Sequence, residues 1–229
     1  MDEKPLIKYT WSYSSLDLFK QCPYKYYRLR VKKDVKEPPS EQMTYGLEAH
    51  KAAEEFIRDG IDIPERFAFM REPLELLRKR EGQHLCEYKL GIDRGFNPCD
   101  FYDKQVWWRG IADLIILKGE RALVVDYKTG KSSKYADTKQ LEILSLAVFK
   151  HFPEVKQVKA GLLFVVANDF VPAEFHVDQQ GTYWSRWITD TNRLEKAIEL
   201  DVWNARPNFS CKGWCPVKDC VHNGKSSYR

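Results

Sequence analysis

The chain has 229 residues, of which 43% are hydrophobic and 31% charged. That length fits one domain of ordinary to large size, with enough core to fold without obligatory metal or disulfide staples. Near-average Gly (12) and Pro (11) exclude a collagen-like or wholly disordered chain, and 37 Lys+Arg against 33 Asp+Glu is too mild an excess to identify a nucleic-acid binder. No run approaches the ~18 apolar residues of a membrane-spanning helix. Residues 1–8 lack the apolar stretch of a secretory signal, so the six cysteines are expected as thiols in a reducing compartment, the cytoplasm.

In chain order, Ser14 and Asp17 suggest a capping box that opens a helix over Ser15–Gln21. Pro23 restarts the chain, and Tyr24–Val31 reads as a second helical run. Lys20, Lys25, Arg28, Arg30, Lys32 and Lys33 crowd this segment among Tyr24, Tyr26 and Tyr27. Basic residues mixed with aromatics can hold phosphates and stack bases, which makes Lys20, Lys25, Tyr26 and Arg28 candidate DNA-binding residues. A solvated helix with a tyrosine-lined inner face is the alternative. Pro38-Pro39-Ser40 marks a boundary. A helix over Glu41–Asp59 follows, with Met43, Leu47, Ala53 and Ile57 as its apolar positions, His50 near that face, and Gly60 as its stop. Residues 72–85 read as another helix.

The middle of the chain reads as strands over Cys86–Ile92, Gln105–Lys118 and Arg121–Lys128. Asp137 is placed to cap a helix over Thr138–His151. Strands over Gly161–Ala167 and Ala173–Val177 come next, then a long helix over Gly181–Trp203. Helices and strands alternate, so the expected fold class is α/β: a central mixed β-sheet flanked by helices. The expected organisation is one domain over 1–229, with an N-terminal helical segment (1–40), a core (41–203) and a Cys-rich tail (204–229).

The most informative stretch is the hairpin around Gly119-Glu120, a two-residue loop with glycine first. That turn sets Lys118 across from Arg121 and, five steps outward, Asp113 across from Asp126. Opposed side chains have Cβ atoms about 4.5–5.5 Å apart. Two carboxylates so close, among Leu114, Ile115, Val124 and Val125, must share a proton, accept a cation or destabilise the fold. A hard divalent cation would resolve the conflict. Lys128 follows Asp126 by two residues and shares its face. Two carboxylates and an ammonium converging at one sheet end suit phosphodiester hydrolysis, although charged residues at a strand end can simply meet solvent. His50 becomes a metal candidate if its helix packs beside the hairpin end. Gln140, at the start of the next helix, would point back toward the same end. Thr129-Gly-Lys-Ser132 is a decoy: a phosphate-binding loop would need glycine where Val125 stands.

Taken together these residues resemble the PD-(D/E)XK nuclease superfamily, and within it the RecB-like exonuclease group. Ser14-Ser-Leu-Asp-Leu-Phe-Lys-Gln-Cys-Pro-Tyr-Lys-Tyr-Tyr27 is similar to that group's N-terminal segment. Gly46-Leu-Glu-Ala-His50 is similar to its Gly-x3-His motif. Gly110-Ile-Ala-Asp113 and Val125-Asp-Tyr-Lys-Thr-Gly130 resemble the paired catalytic motifs, with Ala112 where the superfamily name has proline. Gln140 falls at the start of a Gln-x3-Tyr motif, in which Leu144 replaces the tyrosine.

The resemblance implies a restriction-endonuclease-like fold and a metal-dependent DNA exonuclease of the phage or CRISPR-adaptation kind. It would serve recombination, repair or phage DNA processing, with DNA and a possible recombination or replication protein as partners. His50, Asp113, Asp126 and the Tyr127 carbonyl would bind Mg²⁺ or Mn²⁺; Asp113, Asp126, Lys128 and Gln140 would be catalytic. A nuclease fold that binds DNA or a protein without cutting is the alternative.

In the tail, Cys211, Cys215 and Cys220 can place soft ligands around one centre. The residues allow a zinc site completed by His222. The resemblance implies instead a [4Fe–4S] cluster completed by Cys22, joining the N-terminal segment to the tail. Cys86 and Cys99 are expected to pack as ordinary residues.

Overall fold

The computed structural model describes residues 9–37 and 39–224. The stretch read for a secretory signal, Pro38 of the expected boundary and the last five residues of the tail lie outside them. The chain forms two compact units. Residues 40–184 make up one; residues 1–39 and 185–229, as far as described, make up the other.

The larger unit is built on a mixed six-stranded sheet in the order β2-β1-β3-β4-β5-β6. Its strands are β1 (Gln83–Asp93), β2 (Pro98–Cys99), β3 (Val106–Lys118), β4 (Arg121–Lys128), β5 (Gln157–Phe164) and β6 (Asp169–His176). All neighbours are antiparallel except β4 and β5, which are joined through a helix and run parallel. The hairpin register is the one the two-residue loop dictates. Lys118 pairs with Arg121, and the ladder continues to Leu114 with Val125, where it stops. Gly119 turns the chain with φ +56°, a conformation that glycine adopts without penalty.

The N-terminal helices of the unit and one long β-α-β crossover helix cover the sheet. In the smaller unit, α1 (Tyr13–Gln21) and α2 (Pro23–Tyr26) precede a π-helical turn over Tyr27–Val31. In the larger, α3 (Glu41–Asp59) begins where Ser40 caps the Met43 amide and ends on Gly60 at φ +73°, as the capping residues require. Its inward face differs from the expected one. Met43 and Leu47 are exposed, and the sheet is met by Ala49, Ala52, Ala53, Phe56 and Ile57. The alanines bring the helix close to the strands, and only the second half of α3 lies over them deeply. The expected helix over 72–85 is shorter: a 3₁₀ turn (Glu65–Met70) leads into α4 (Arg71–Arg78), and β1 already starts at Gln83. On this side the core joins α3, the 3₁₀ turn and α4 to Leu114, Ile116, Val125, Tyr127, Leu163 and Val165.

α5 (Lys139–His151), buried along most of its length, lies between β4 and β5 in sequence and packs on the other face. Asp137 accepts the Lys139 amide ahead of its first turn, but the helix starts one residue later than expected, with Thr138 rather than Asp137 at the cap position. At the far edge, Pro172 of β6 lies opposite Gly161, and the Phe170 ring covers that glycine. α6 (Gln180–Leu200) starts in this unit and continues into the other.

The smaller unit has an aromatic core. Trp11 stacks on Trp187 at 5.8 Å between centroids, and Tyr26 lies between Phe19 (5.7 Å) and Trp203 (5.9 Å). Helix α1 begins two residues earlier than expected. Ser12, not Ser14, is its cap, and Ser15 supplies the reciprocal bond to the Ser12 amide. Serine at the third position reaches back as readily as the aspartate expected two residues later.

No described helix is long and apolar enough to cross a membrane.

The two motif glycines differ in what they allow. A Cβ on Gly110 would stand 2.7 Å from the Trp108 ring and 3.4 Å from Leu144 of α5; one on Gly46 would meet only the Thr129 hydroxyl at 3.6 Å. Gly110→Ala is therefore expected to lose about 1–3 kcal/mol in thermal or urea unfolding through overpacking. Gly46→Ala, in mid-helix, is expected to be neutral or stabilising by up to about 1 kcal/mol.

Candidate active site

The site forms where β3 and β4 part. Beyond the Leu114–Val125 pair, Asp113 no longer bonds across the ladder. Its Oδ2 instead accepts the Tyr127 amide at 2.6 Å, which locks the carboxylate into the fork. Asp113 Oδ1 lies 3.3 Å from His50 Nδ1 on α3. The His50 ring meets the buried Tyr127 ring edge-on at 5.9 Å.

A change of strand alternation brings these groups together. On β3, a Cβ at Gly110 would face Leu144 of α5, whereas Leu114 packs in the core beneath α3. An even spacing should leave both on one face, so the alternation slips by one residue between them, at Asp113. The same happens on β1. Cys86 packs against the α3 side, while the Tyr88 ring meets Phe152 at the end of α5 at 5.7 Å. Between them stands Glu87, at φ +48°, a left-handed backbone that costs a non-glycine residue about 1 kcal/mol or more. The pairs Cys86–Leu114 and Tyr88–Ala112 set Glu87 directly across from Asp113. Two facing slips thus turn two carboxylates toward one histidine. The ligand atoms of His50, Glu87 and Asp113 lie within 4.8 Å of one another.

Asp126 and Lys128 share the α5 side of β4. The Lys128 ammonium stands 2.6 Å from Asp126 Oδ2 and donates to Gln140 Oε1 at 3.0 Å; the Gln140 amide donates to Asp126 Oδ1 at 2.7 Å. These three side chains close a triangle. Asp126 Oδ2 is buried and receives no well-directed hydrogen bond, so the lysine contact is an ion pair rather than a full donor.

The electrostatics follow from burial and crowding. Burial raises the Asp126 carboxyl above the usual carboxylate range, and the Asp113 charge adds to it, against the pull of Lys128. Glu87 is pushed up to about 7, by burial first and by Asp113 second. Burial would lower His50, but its bond to Asp113 and the surrounding carboxylates outweigh it and leave the imidazole raised. Three acids facing one lysine and one imidazole leave a surplus of negative charge that a dication is suited to neutralise. The donors are carboxylate oxygens plus one imidazole, with the buried Asp126 carboxylate beside them. This set fits a hard divalent ion.

Of the residues singled out from sequence, His50, Asp113, Tyr127, Asp126, Lys128 and Gln140 all gather at the fork. Glu87 was missed. The only sequence signal for it is an acidic residue inside an otherwise half-apolar strand.

The other unit holds the cysteines. Cys22, Cys211, Cys215, Cys220 and His222 line one small cavity of about 20 Å³. Cys22 caps α2 with its sulfur, which accepts the amides of Lys25 and Arg206, each at 3.4 Å. Cys86 and Cys99 sit elsewhere, on β1 and β2.

Lys20, Lys25, Tyr26 and Arg28, expected to grip DNA, are engaged within the unit. Lys20 pairs with Asp190 at 2.6 Å and Lys25 with Glu37 at 2.8 Å. Tyr26 is 6% exposed, in the aromatic core. Arg28 is buried against Asp34 and Asp219, both at 2.8 Å, with Tyr24 at 3.0 Å. Their charge is spent inside the unit, and Arg28 ties the N-terminal segment to the tail.

A family model described as the PD-(D/E)XK nuclease superfamily matches residues 10–220. No curated protein matches the chain. Among solved structures, a candidate exonuclease from Eubacterium rectale is similar at a TM-score of 0.52 and 10% identity, over 96% of this chain and 92% of that one. The protein SSO0001 is similar at a TM-score of 0.45 and 16% identity, over 96% and 88%.

The raised carboxyls make metal-free stability fall with pH. A group whose folded pKa exceeds its unfolded value holds more protons when folded, so stability is lost as pH rises from the unfolded value toward the folded one. For Glu87 that window runs from about 4.5 to about 7. The raised His50 acts in the same sense. In EDTA, the melting temperature is expected to fall between about pH 5 and about pH 7.5, and Glu87→Gln to flatten that slope.

Proposed function

The chain belongs to the PD-(D/E)XK nuclease superfamily, and from that premise we propose that it is a DNA exonuclease that uses Mg²⁺ or Mn²⁺. The observation that carries the reading is the forced meeting of Glu87 and Asp113 at His50, beside the buried Asp126 carboxylate that Lys128 and Gln140 hold. His50, Glu87, Asp113 and Asp126 would hold the ion, with the Tyr127 carbonyl as a further ligand. When bound, the ion supplies Lewis-acid stabilisation of phosphate charge and lowers the pKa of water.

The chain's own residues do the rest. Asp126 anchors Lys128, and Gln140 fixes both from α5. So held, the ammonium can orient the attacking water and offset charge on the phosphate oxygens in the transition state. Asp113, locked by the Tyr127 amide, keeps its second oxygen toward the imidazole. Attack at phosphorus breaks the bond to the leaving oxygen. The Eubacterium rectale protein's own description as an exonuclease supports end-directed cutting.

In the other unit, the four thiols around one cavity support a soft metal centre, a [4Fe–4S] cluster or zinc, that staples the N-terminal segment to the tail. Its role would be structural.

Two measurements test these proposals. Labelled linear and circular DNA, incubated with Mn²⁺ or Mg²⁺, should show degradation of the linear form only. Asp126→Ala and Lys128→Ala should each lower the rate roughly a hundredfold or more. Absence of cleavage on every substrate would instead leave a nuclease fold that binds without cutting. Protein purified without oxygen should contain iron or zinc, and Cys22→Ala should release it and lower the melting temperature.

A further inference from the structure

Past the slip, the α3 side of the sheet is uncovered. Gly110 and Ala112 face α5 or are fully buried, so the alternate residues Arg109 and Ile111 point the other way, and both are exposed. Lys89 is paired with Ile111 on the neighbouring strand and is exposed as well. Lys89 lies two residues from Glu87, and Ile111 two from Asp113. One such step is about 6.8 Å along a strand. The open strip therefore begins at the carboxylate fork and runs away from it on the same face.

The strip is basic and aromatic. Lys89 Nζ stands 5.9 Å from the Phe101 ring centre and 5.1 Å from that of Tyr102, and donates to the Tyr102 hydroxyl at 3.1 Å. The Arg109 guanidinium lies 5.2 Å from the Phe101 centre. Phe101 and Tyr102 meet edge-on at 5.0 Å, and Tyr102 is 68% exposed. The nearby acids bond to their own loop, Asp100 accepting the Tyr102 amide and Asp103 the Gln105 amide, and keep their charge. Unlike Lys20, Lys25 and Arg28, neither Lys89 nor Arg109 has an acidic partner among the ion pairs described above. Cations held over rings keep their outer faces for an anion.

We propose that Lys89, Arg109, Phe101, Tyr102 and Ile111 form the track that holds an unpaired DNA strand leading into the carboxylate fork. The inference rests on the nuclease reading for the identity of the polymer. Lys89 and Arg109 take successive phosphates. Tyr102 offers its open ring to a base, which a duplex keeps stacked and out of reach and an unpaired strand does not. Ile111 supplies an apolar floor between the charges and the fork.

The test measures binding rather than cleavage. A fluorescein-labelled oligo(dT) and a duplex of equal length are titrated in EDTA at several salt concentrations, with fold checked by circular dichroism. Lys89→Ala/Arg109→Ala should weaken oligo(dT) binding at least tenfold and make the slope of log K against log salt shallower by about 1.4, the value for two phosphates on a single strand. Tyr102→Ala should weaken oligo(dT) at least fivefold and leave the duplex nearly unchanged; Tyr102→Phe should restore binding. An unaltered affinity and slope in the double variant, or no binding by the wild type, overturns the track. Equal losses on duplex and oligo(dT) for Tyr102→Ala overturn the unpaired strand as occupant. Neither result touches the nuclease reading, which stands or falls on metal-dependent cleavage by the wild type.

Discussion

The larger unit is organised around like charges that cannot avoid one another. Glu87 and Asp113 face each other across two strands at the point where both lose their alternation, and Asp126 stands in the same fork. Such crowding costs stability unless protons or a cation relieve it. The surrounding structure holds it in place: the Tyr127 amide fixes Asp113, α5 fixes Asp126 through Gln140, and the alanines of α3 let His50 come near. Strain of this kind, backed by a packed core, is how a protein keeps a binding site open in the absence of its ligand.

Much of this site was legible in the sequence because it is local. A two-residue loop beginning with glycine leaves one register, so Asp113 and Asp126 were bound to arrive together. Period two then set Lys128 beside Asp126, and the helix start set Gln140 opposite both. The limits of α3 follow from Ser40 and Gly60 for the same reason. Glu87 was hidden because its place depends on β1 meeting β3 some 26 residues later in sequence, and on a break in the very alternation used to read a strand. The ladder's early end at Leu114 was hidden too. Hairpin geometry sets which residues oppose, not whether the strands stay bonded.

The basic segment near the N-terminus shows a related limit of composition. Composition records the cations of Lys20 and Arg28 but not their counterions, Asp190 and Asp219, which lie about 170 and 190 residues further along. Charge at the surface can be judged only after the long-range pairs are subtracted. After that subtraction the clearest basic and aromatic strip lies on β1 and β3, at residues that no motif marks. Met43 and Leu47 repeat the lesson in apolar form: they keep helical spacing, yet the sheet lies under the other end of α3.

The borders of the sheet have a bearing on how the protein behaves when concentrated. At one border β6 carries Pro172, which has no amide hydrogen to offer a newcomer; at the other, β2 is only two residues long. A foreign segment seeking to zip onto either flank finds an incomplete template. High-yield expression and storage should accordingly be safer from fibre-like growth than the apolar content of the central strands alone would suggest.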